Sequence, residues 1–188
     1  VPLRITWRLV NGKQNYTYEV MMNDIQRLQT VYPFLQVSSI GNSVLNRSIP
    51  EVLIGIGDKR VAYNGSFHAN EWITTPTIMT FLNDYALSLT NQTTIRGLIT
   101  SPLYEQTSLS IVPMVNPDGV NLVLNGPPEL EPYRSNVIQW NNNSLDFSGW
   151  KANINGVDLN DQFPAQWEKE RDRNPQTPGP RDYGGESP

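Results

Sequence analysis

The 188-residue chain contains no cysteine and a single histidine, His68. Without cysteine there is no disulfide framework and no thiolate metal site, so a bound metal must take nitrogen and oxygen ligands; the redox compartment is left open. A basic run is also missing. Fourteen Lys and Arg stand against eighteen Asp and Glu, a formal net charge of −4, and no cluster of cations would track a phosphate backbone, so nucleic acid is not an expected partner. The apolar runs fall well short of the roughly 20 residues a membrane-spanning helix needs, so no membrane partner is expected. The opening residues show no basic-then-apolar leader pattern, as in a chain already processed. What is there, 38% hydrophobic and 17% charged residues, suits one globular domain with polar, asparagine-rich loops.

Residues 1–14 read as a lead-in segment: Leu3 to Leu9 alternates like an edge strand or linker and closes at Asn11-Gly12. Met21, Ile25, Leu28 and Tyr32 then repeat at helical spacing, with Pro33 ending the run. Val37–Ile40 and Glu51–Ile56 read as short strands, with Gly57-Asp58 turning toward a third strand at Val61 and a hairpin as the natural connection. Ile78, Leu82, Tyr85 and Leu89 predict a second helix from about Pro76 to Leu89, capped at Thr74-Thr75. Ser108–Val115 has the composition of a strand covered on both faces, and Asn116-Pro117-Asp118-Gly119 stops it with turn chemistry. The order predicts an α/β domain with a mixed β-sheet flanked by helices on both faces. From Asn121 to Gly149 periodicity is lost and a long functional loop is expected. Gly156–Asn160 looks like a short buried strand, and the Pro- and Gly-rich C-terminus looks irregular.

The chemistry concentrates at His68-Ala69-Asn70-Glu71. An imidazole and a carboxylate three residues apart can reach one ion if the chain turns tightly between them, as at a strand end leading into a helix. The plainer reading is a histidine satisfied by a backbone carbonyl near a helix start. A zinc site also needs at least three protein ligands, and this motif supplies two.

Three motifs in order, Phe67-His68-Ala69-Asn70-Glu71-Trp72, Met114-Val115-Asn116-Pro117-Asp118-Gly119 and Gly156-Val157-Asp158-Leu159-Asn160, resemble the zinc carboxypeptidase family over about Asn15 to Pro188. The wording from Trp150 to Ala165 is similar to the bacterial branch of γ-D-glutamyl-L-diamino acid peptidases, which cleave peptidoglycan peptides. The resemblance implies a mixed sheet between helices and zinc held by His68, Glu71 and a second histidine. It implies Asp158 as the aspartate that orients the zinc histidine and Asn160 as a contact to the substrate carboxylate; on their own these would read as a loop cap and a turn residue. A distant glutamate would act as general base. The implied partner is a peptide or muropeptide, and the implied setting is cell-wall-facing, spore-associated or cytoplasmic in a bacterium, with an upstream cell-wall-binding domain.

Departures from the family narrow this further. Where carboxypeptidases carry an arginine that grips a free carboxylate, this chain has Asp161, which would repel one; the plainer role for Asp161 is to cap the turn through Gln162 and Phe163. Two further family arginines are replaced by Asn70, a neutral dipole facing substrate, and Lys151, a cation suited to stabilising an oxyanion. The second histidine and the general-base glutamate have no counterpart in the chain. It therefore reads as the N-terminal part of a longer enzyme, the C-terminal part of the fold missing and the chain alone inactive. The other readings are a degenerate relative, a carboxypeptidase or amidase acting on another peptide, or a non-catalytic peptidoglycan-binding module with a cleft lined by Trp140, Trp150 and Asp161.

Overall fold

Both apolar stripes form the helices they predict. In a computed structural model that describes residues 7–188, α1 (Tyr18–Val31) buries Met21, Ile25 and Leu28, with Tyr32 buried just past its end. The Thr17 hydroxyl caps it by accepting from Val20 N–H at 3.3 Å. Asp24 shares the buried face because Tyr16 Oη, at 2.7 Å, and Arg27, at 3.0 Å, satisfy its carboxylate. The second helix follows two strands of the sheet, β1 (Gln36–Asn42) and β2 (Ser48–Ile54), and a third, β3 (Lys59–Asn64). This helix, α2 (Thr74–Asn91), buries Met79, Leu82, Tyr85 and Ala86, while Ile78 and Leu89 are half-buried. The expected cap is not made: the helix begins at Thr74, and the Thr75 hydroxyl donates to the Pro113 carbonyl at 2.7 Å.

A small hairpin, β4 (Thr94–Ile95) and β5 (Leu98–Ile99), and the short α3 (Ser101–Gln106) lead into β6 (Thr107–Val112). The four-stranded sheet runs β1-β2-β6-β3, with β2 antiparallel and β3 parallel to β6. The sheet is therefore mixed, as expected, but β2 and β3 form no hairpin: β6 lies between them, and α2 belongs to the crossover that a parallel pair requires. Gly57 serves a close approach, since a Cβ there would meet the Gln106 and Thr107 backbone at 1.9–2.3 Å. The strand β6 is not covered on both faces. Leu109 and Ile111 are buried with Val52 and Ile54, whereas Ser108 and Ser110 are only half-buried, Ser110 donating to Glu51 at 2.5 Å. Of the alternating N-terminal stretch, Leu3–Thr6 lie outside the described residues. Trp7–Leu9 is irregular, with Leu9 and Val10 N–H groups bound to Asn83 Oδ1 and Arg8 paired with Asp84 at 2.6 Å.

These elements belong to one compact unit, with Pro50–Gly65 and Ile73–Pro113 among its segments; the other comprises Gly41–Ile49, Ser66–Trp72 and Met114–Pro188. Within the second, the expected loop from Asn121 to Gly149 holds the end of α4 (Pro117–Asn125) and all of α5 (Tyr133–Trp140). Both helices are two to three turns long, too short for a repeating stripe to show. Leu122 and Val137 instead pack with Ala69, Phe147, Trp150, Ala152 and Ile154 in one buried cluster. The Asn116-Pro117-Asp118-Gly119 run is the start of α4 and not a turn: Asn116 is its N-cap and Pro117 its first residue. Gly156–Asn160 is no strand. Asn153 Oδ1 accepts from Asn155 and Val157 N–H groups, Gly156 has φ +70°, and the chain enters a 3-10 turn at Leu159–Asp161, so local side-chain bonds replace a ladder. A last helix, α6 (Trp167–Arg173), precedes the irregular C-terminus.

The Asn116 amide joins three segments of this unit. Its Oδ1 accepts from Gly119 N–H at 3.1 Å, and its Nδ2 faces the carbonyls of Ala152, Phe67 and Lys151 at 3.0, 3.2 and 3.4 Å. Asn116→Ala, which loses a cap and strands buried carbonyls, is expected to cost about 2–4 kcal/mol in urea unfolding. A loss under about 0.5 kcal/mol would show that the amide is not the tie described.

Candidate metal centre

After β3 the chain passes Gly65, where a Cβ would meet the Pro113 carbonyl at 2.8 Å, and Ser66, with φ +53°. A 3-10 turn at Ala69–Glu71 follows, with His68 as its N-cap residue. The turn is held by two backbone bonds, Ala69 N–H to the Lys151 carbonyl at 3.0 Å and Asn70 N–H to the Trp150 carbonyl at 2.9 Å. One helical turn brings positions i and i+3 together, so His68 Nδ1 lies 3.1 Å from Glu71 Oε1. Its other ring nitrogen, Nε2, lies 3.2 Å from Asp158 Oδ1. The histidine side chain is 17% exposed, Asp158 only 3% and Glu71 53%, so the imidazole joins a buried carboxylate to one open to solvent.

A neutral imidazole has one N–H for these two carboxylates. When Nε2–H donates to Asp158, the Nδ1 lone pair faces Glu71, an arrangement that a cation between them would satisfy. The 3.1 Å spacing is close to the roughly 3.3 Å between two ligands of a tetrahedral ion at about 2.0–2.1 Å. His68 and Glu71 therefore fit a zinc ion, with the Asp158 carboxylate against the opposite ring nitrogen. Asp158 also makes the loop cap of the plainer reading. Its Oδ1 accepts from Asn160 N–H and its Oδ2 from Asp182 N–H, both at 3.1 Å. The same carboxylate thus binds the loop backbone and lies against the histidine ring.

The remaining expected residues gather around this centre unevenly. Lys151 and Asn70 are tied to it through the backbone bonds of the 3-10 turn. Both are half-buried, and Asn70 Oδ1 has no hydrogen-bond partner among the described residues. Asn160 is exposed. The Asp161 carboxylate accepts from Asn174 Nδ2 at 3.2 Å, while Gln162 N–H is taken by the Leu159 carbonyl, so the expected cap through Gln162 is not made. Trp150 does not line a cleft. It is fully buried, with Nε1 donating to the Ala152 carbonyl at 2.9 Å, and Trp140 packs against the same core. The aromatic cleft imagined for a binding module is absent in that form.

Two features were not legible in the sequence. Asp182, 24 residues after Asp158, joins Asp158 and Asp161 in the only grouping of three or more possible metal-ligating residues among the described residues. Burial raises the Asp161 pKa, reinforced by the charges of Asp158, Asp182 and Glu170 and opposed by His68. Phe67 and Phe163 lie with ring centroids 6.1 Å apart, flanking the motifs that carry His68 and Asp161. No pattern in the sequence pairs residues so far apart.

The zinc carboxypeptidase family model matches residues 21–188. The chain is 74% identical over 185 residues to gamma-D-glutamyl-L-diamino acid endopeptidase 1 of Lysinibacillus sphaericus, covering 98% of this chain and 47% of that protein. It is 42% identical to an uncharacterized protein of Bacillus subtilis strain 168, covering 99% of this chain and 50% of that protein. It thus spans about half the length of these relatives. Bovine thrombin-activatable fibrinolysis inhibitor, solved with tick carboxypeptidase inhibitor, shares the fold at TM-score 0.66 and 17% identity, over 94% of this chain and 52% of that one. Carboxypeptidase A from Helicoverpa armigera does so at TM-score 0.64 and 21% identity, over 94% of this chain and 40% of that one.

In a longer protein with the full ligand set, Asp158→Ala is expected to weaken zinc binding by about 10–100-fold, read by competition with a chelating dye; wild-type affinity would remove Asp158 from the site. For Asp161, a raised folded-state pKa means that ionisation favours the unfolded chain, so stability falls as pH climbs from the ordinary value near 3.8 through the folded pKa. Asp161→Asn, which keeps an acceptor for Asn174, should raise the melting temperature at pH 7 and give no gain below about pH 3.8. A gain of equal size at both ends would show that charge is not its source.

Proposed function

The chain belongs to the zinc carboxypeptidase family, and from that premise we propose that it is the N-terminal part of a zinc peptidase that hydrolyses the γ-D-glutamyl-diamino acid bond of bacterial cell-wall peptides. The observation that carries this reading is His68 held between Glu71 at 3.1 Å and Asp158 at 3.2 Å, through separate ring nitrogens. His68 and Glu71 would hold the ion, which when bound supplies a Lewis acid for a peptide carbonyl and an attacking water. Asp158 keeps the proton on Nε2, leaving the Nδ1 lone pair directed at the metal position. Lys151, anchored beside the 3-10 turn, supplies positive charge for a developing oxyanion. Asn70 and Asn160 offer amide contacts to the peptide. The second histidine and the general-base glutamate that the resemblance implies would lie in the length of the relatives that this chain does not span.

The bond preference rests on Asp161 and on the 74%-identical relative, whose name describes a diamino acid endopeptidase. A diamino acid such as diaminopimelate carries a second amino-acid centre, with its own ammonium and carboxylate, at the end of its side chain; Asp161, grouped with Asp158 and Asp182, can pair with that ammonium, whereas it repels a carboxylate that brings no cation with it.

In the longer protein, Asp161→Arg is expected to lower kcat/KM on a γ-D-glutamyl-diaminopimelate peptide by about one to two decades and to improve turnover of peptides ending in a plain residue. Equal loss on both would assign Asp161 to structure. Failure of the wild-type protein to cut the first peptide in a zinc-dependent manner would overturn the function. With only two ligands in place, the 188-residue chain should lose zinc to a strong chelator in equilibrium dialysis; stoichiometric retention would contradict the two-ligand site.

A further inference from the structure

An aromatic pair, one ring exposed and the other half-buried, is carried by the motifs that hold His68 and Asp161. Phe163 is 56% exposed and lies two residues after Asp161; Phe67 immediately precedes His68. The two rings are 6.1 Å apart and inclined by 37°, although 96 positions separate them in the chain. A large apolar ring exposed to this degree gains little for the fold, because the stabilisation follows the area removed from water. Phe147 and Trp150 of the same unit are both buried. Phe163 leaves more than half of its surface to solvent, against the ring that precedes His68 and two residues after the half-buried Asp161.

We propose that the Phe67–Phe163 pair forms the apolar wall that receives the methylene stem of the substrate's diamino acid side chain, while Asp161 takes the ammonium at its end. This rests on the diamino acid reading of the same site and adds the residues that would recognise the part of the side chain between its two ends. The chemistry of such a side chain is split: a run of methylenes that gains by leaving water, and a terminal cation that must not lose its solvation without a partner. A wall of aromatic carbon two residues from a carboxylate matches both halves, and an ammonium near a ring face is further stabilised by the ring quadrupole. Neither half alone would separate the diamino acid from its neighbours. A plain aliphatic residue satisfies the wall but not Asp161, and alanine reaches neither.

The test uses three dipeptides, γ-D-glutamyl-L-lysine, γ-D-glutamyl-L-norleucine and γ-D-glutamyl-L-alanine, titrated into the 188-residue chain and followed by the NMR signals of its phenylalanine rings. The lysine peptide should shift the Phe67 and Phe163 signals, the norleucine peptide should bind about tenfold more weakly and the alanine peptide more weakly still. Phe163→Ala should reduce lysine-peptide affinity about tenfold, and Phe163→Leu, which keeps an apolar surface, should recover most of it. Absence of ring shifts, equal affinity for all three peptides, or unchanged affinity in Phe163→Ala would each overturn the proposal. Cleavage of the lysine peptide by the longer protein is measured separately. A peptide that binds the rings and is not cut sinks the proposed activity and leaves this inference standing. A peptide cut equally well by wild type and Phe163→Ala overturns the inference and leaves the activity standing.

Discussion

One side-chain amide sets the geometry of the unit that holds the metal position. Asn116 caps α4 with its oxygen and, with its nitrogen, holds the carbonyls that flank His68 on one side and follow Trp150 on the other. The fit leaves no slack. A Cβ at Gly119 would stand 2.7 Å from both Asn116 side-chain termini and from the Ala152 carbonyl, so glycine is required three residues after the asparagine. The His68 turn is then anchored by backbone bonds to Trp150 and Lys151, and the Trp150 ring is buried in the core formed by Leu122, Val137 and Phe147. Packing of large apolar side chains thus fixes backbone, and backbone fixes where the imidazole stands.

The charges around His68 work against the fold. Asp158, Asp161 and Asp182 bring carboxylate oxygens within 4.8 Å of one another, and Asp161 is harder to ionise first because it is partly buried and then because of these like charges. Asp118, the other buried acid of this unit, is fully compensated: Arg47 lies at 2.7 Å and Leu45 N–H at 2.8 Å. Like charges gathered without such a cation lower stability, and retaining them is the pattern expected where a site must receive a positive group.

The legible parts of the chain share one property, a local pattern long enough to repeat. Met21, Ile25, Leu28 and Tyr32 mark α1 because about three turns of one face fall within a dozen residues, and α2 is marked in the same way. The short helices α4 and α5 give no such repeat. Asn116-Pro117 carried a helix-start signal, an N-cap followed by proline, but the same four residues also spell a turn. The choice between them is made by the burial of Leu122 and by the carbonyls that Asn116 meets, which lie far away in the chain.

The sequence by itself determined the α/β pattern, the His68–Glu71 pair and the family motifs, because each is a matter of residue type at short spacing. Tertiary structure alone decided the rest. It placed β6 between β2 and β3, since pairing depends on which strand the crossover returns. It buried Trp150, since exposure depends on what packs against a ring. It gave Asp158 and His68 the contact that the motifs only implied, added Asp182 to the acids and stood Phe163 beside Phe67, because contacts between residues 21 to 96 positions apart exist only once the chain has folded.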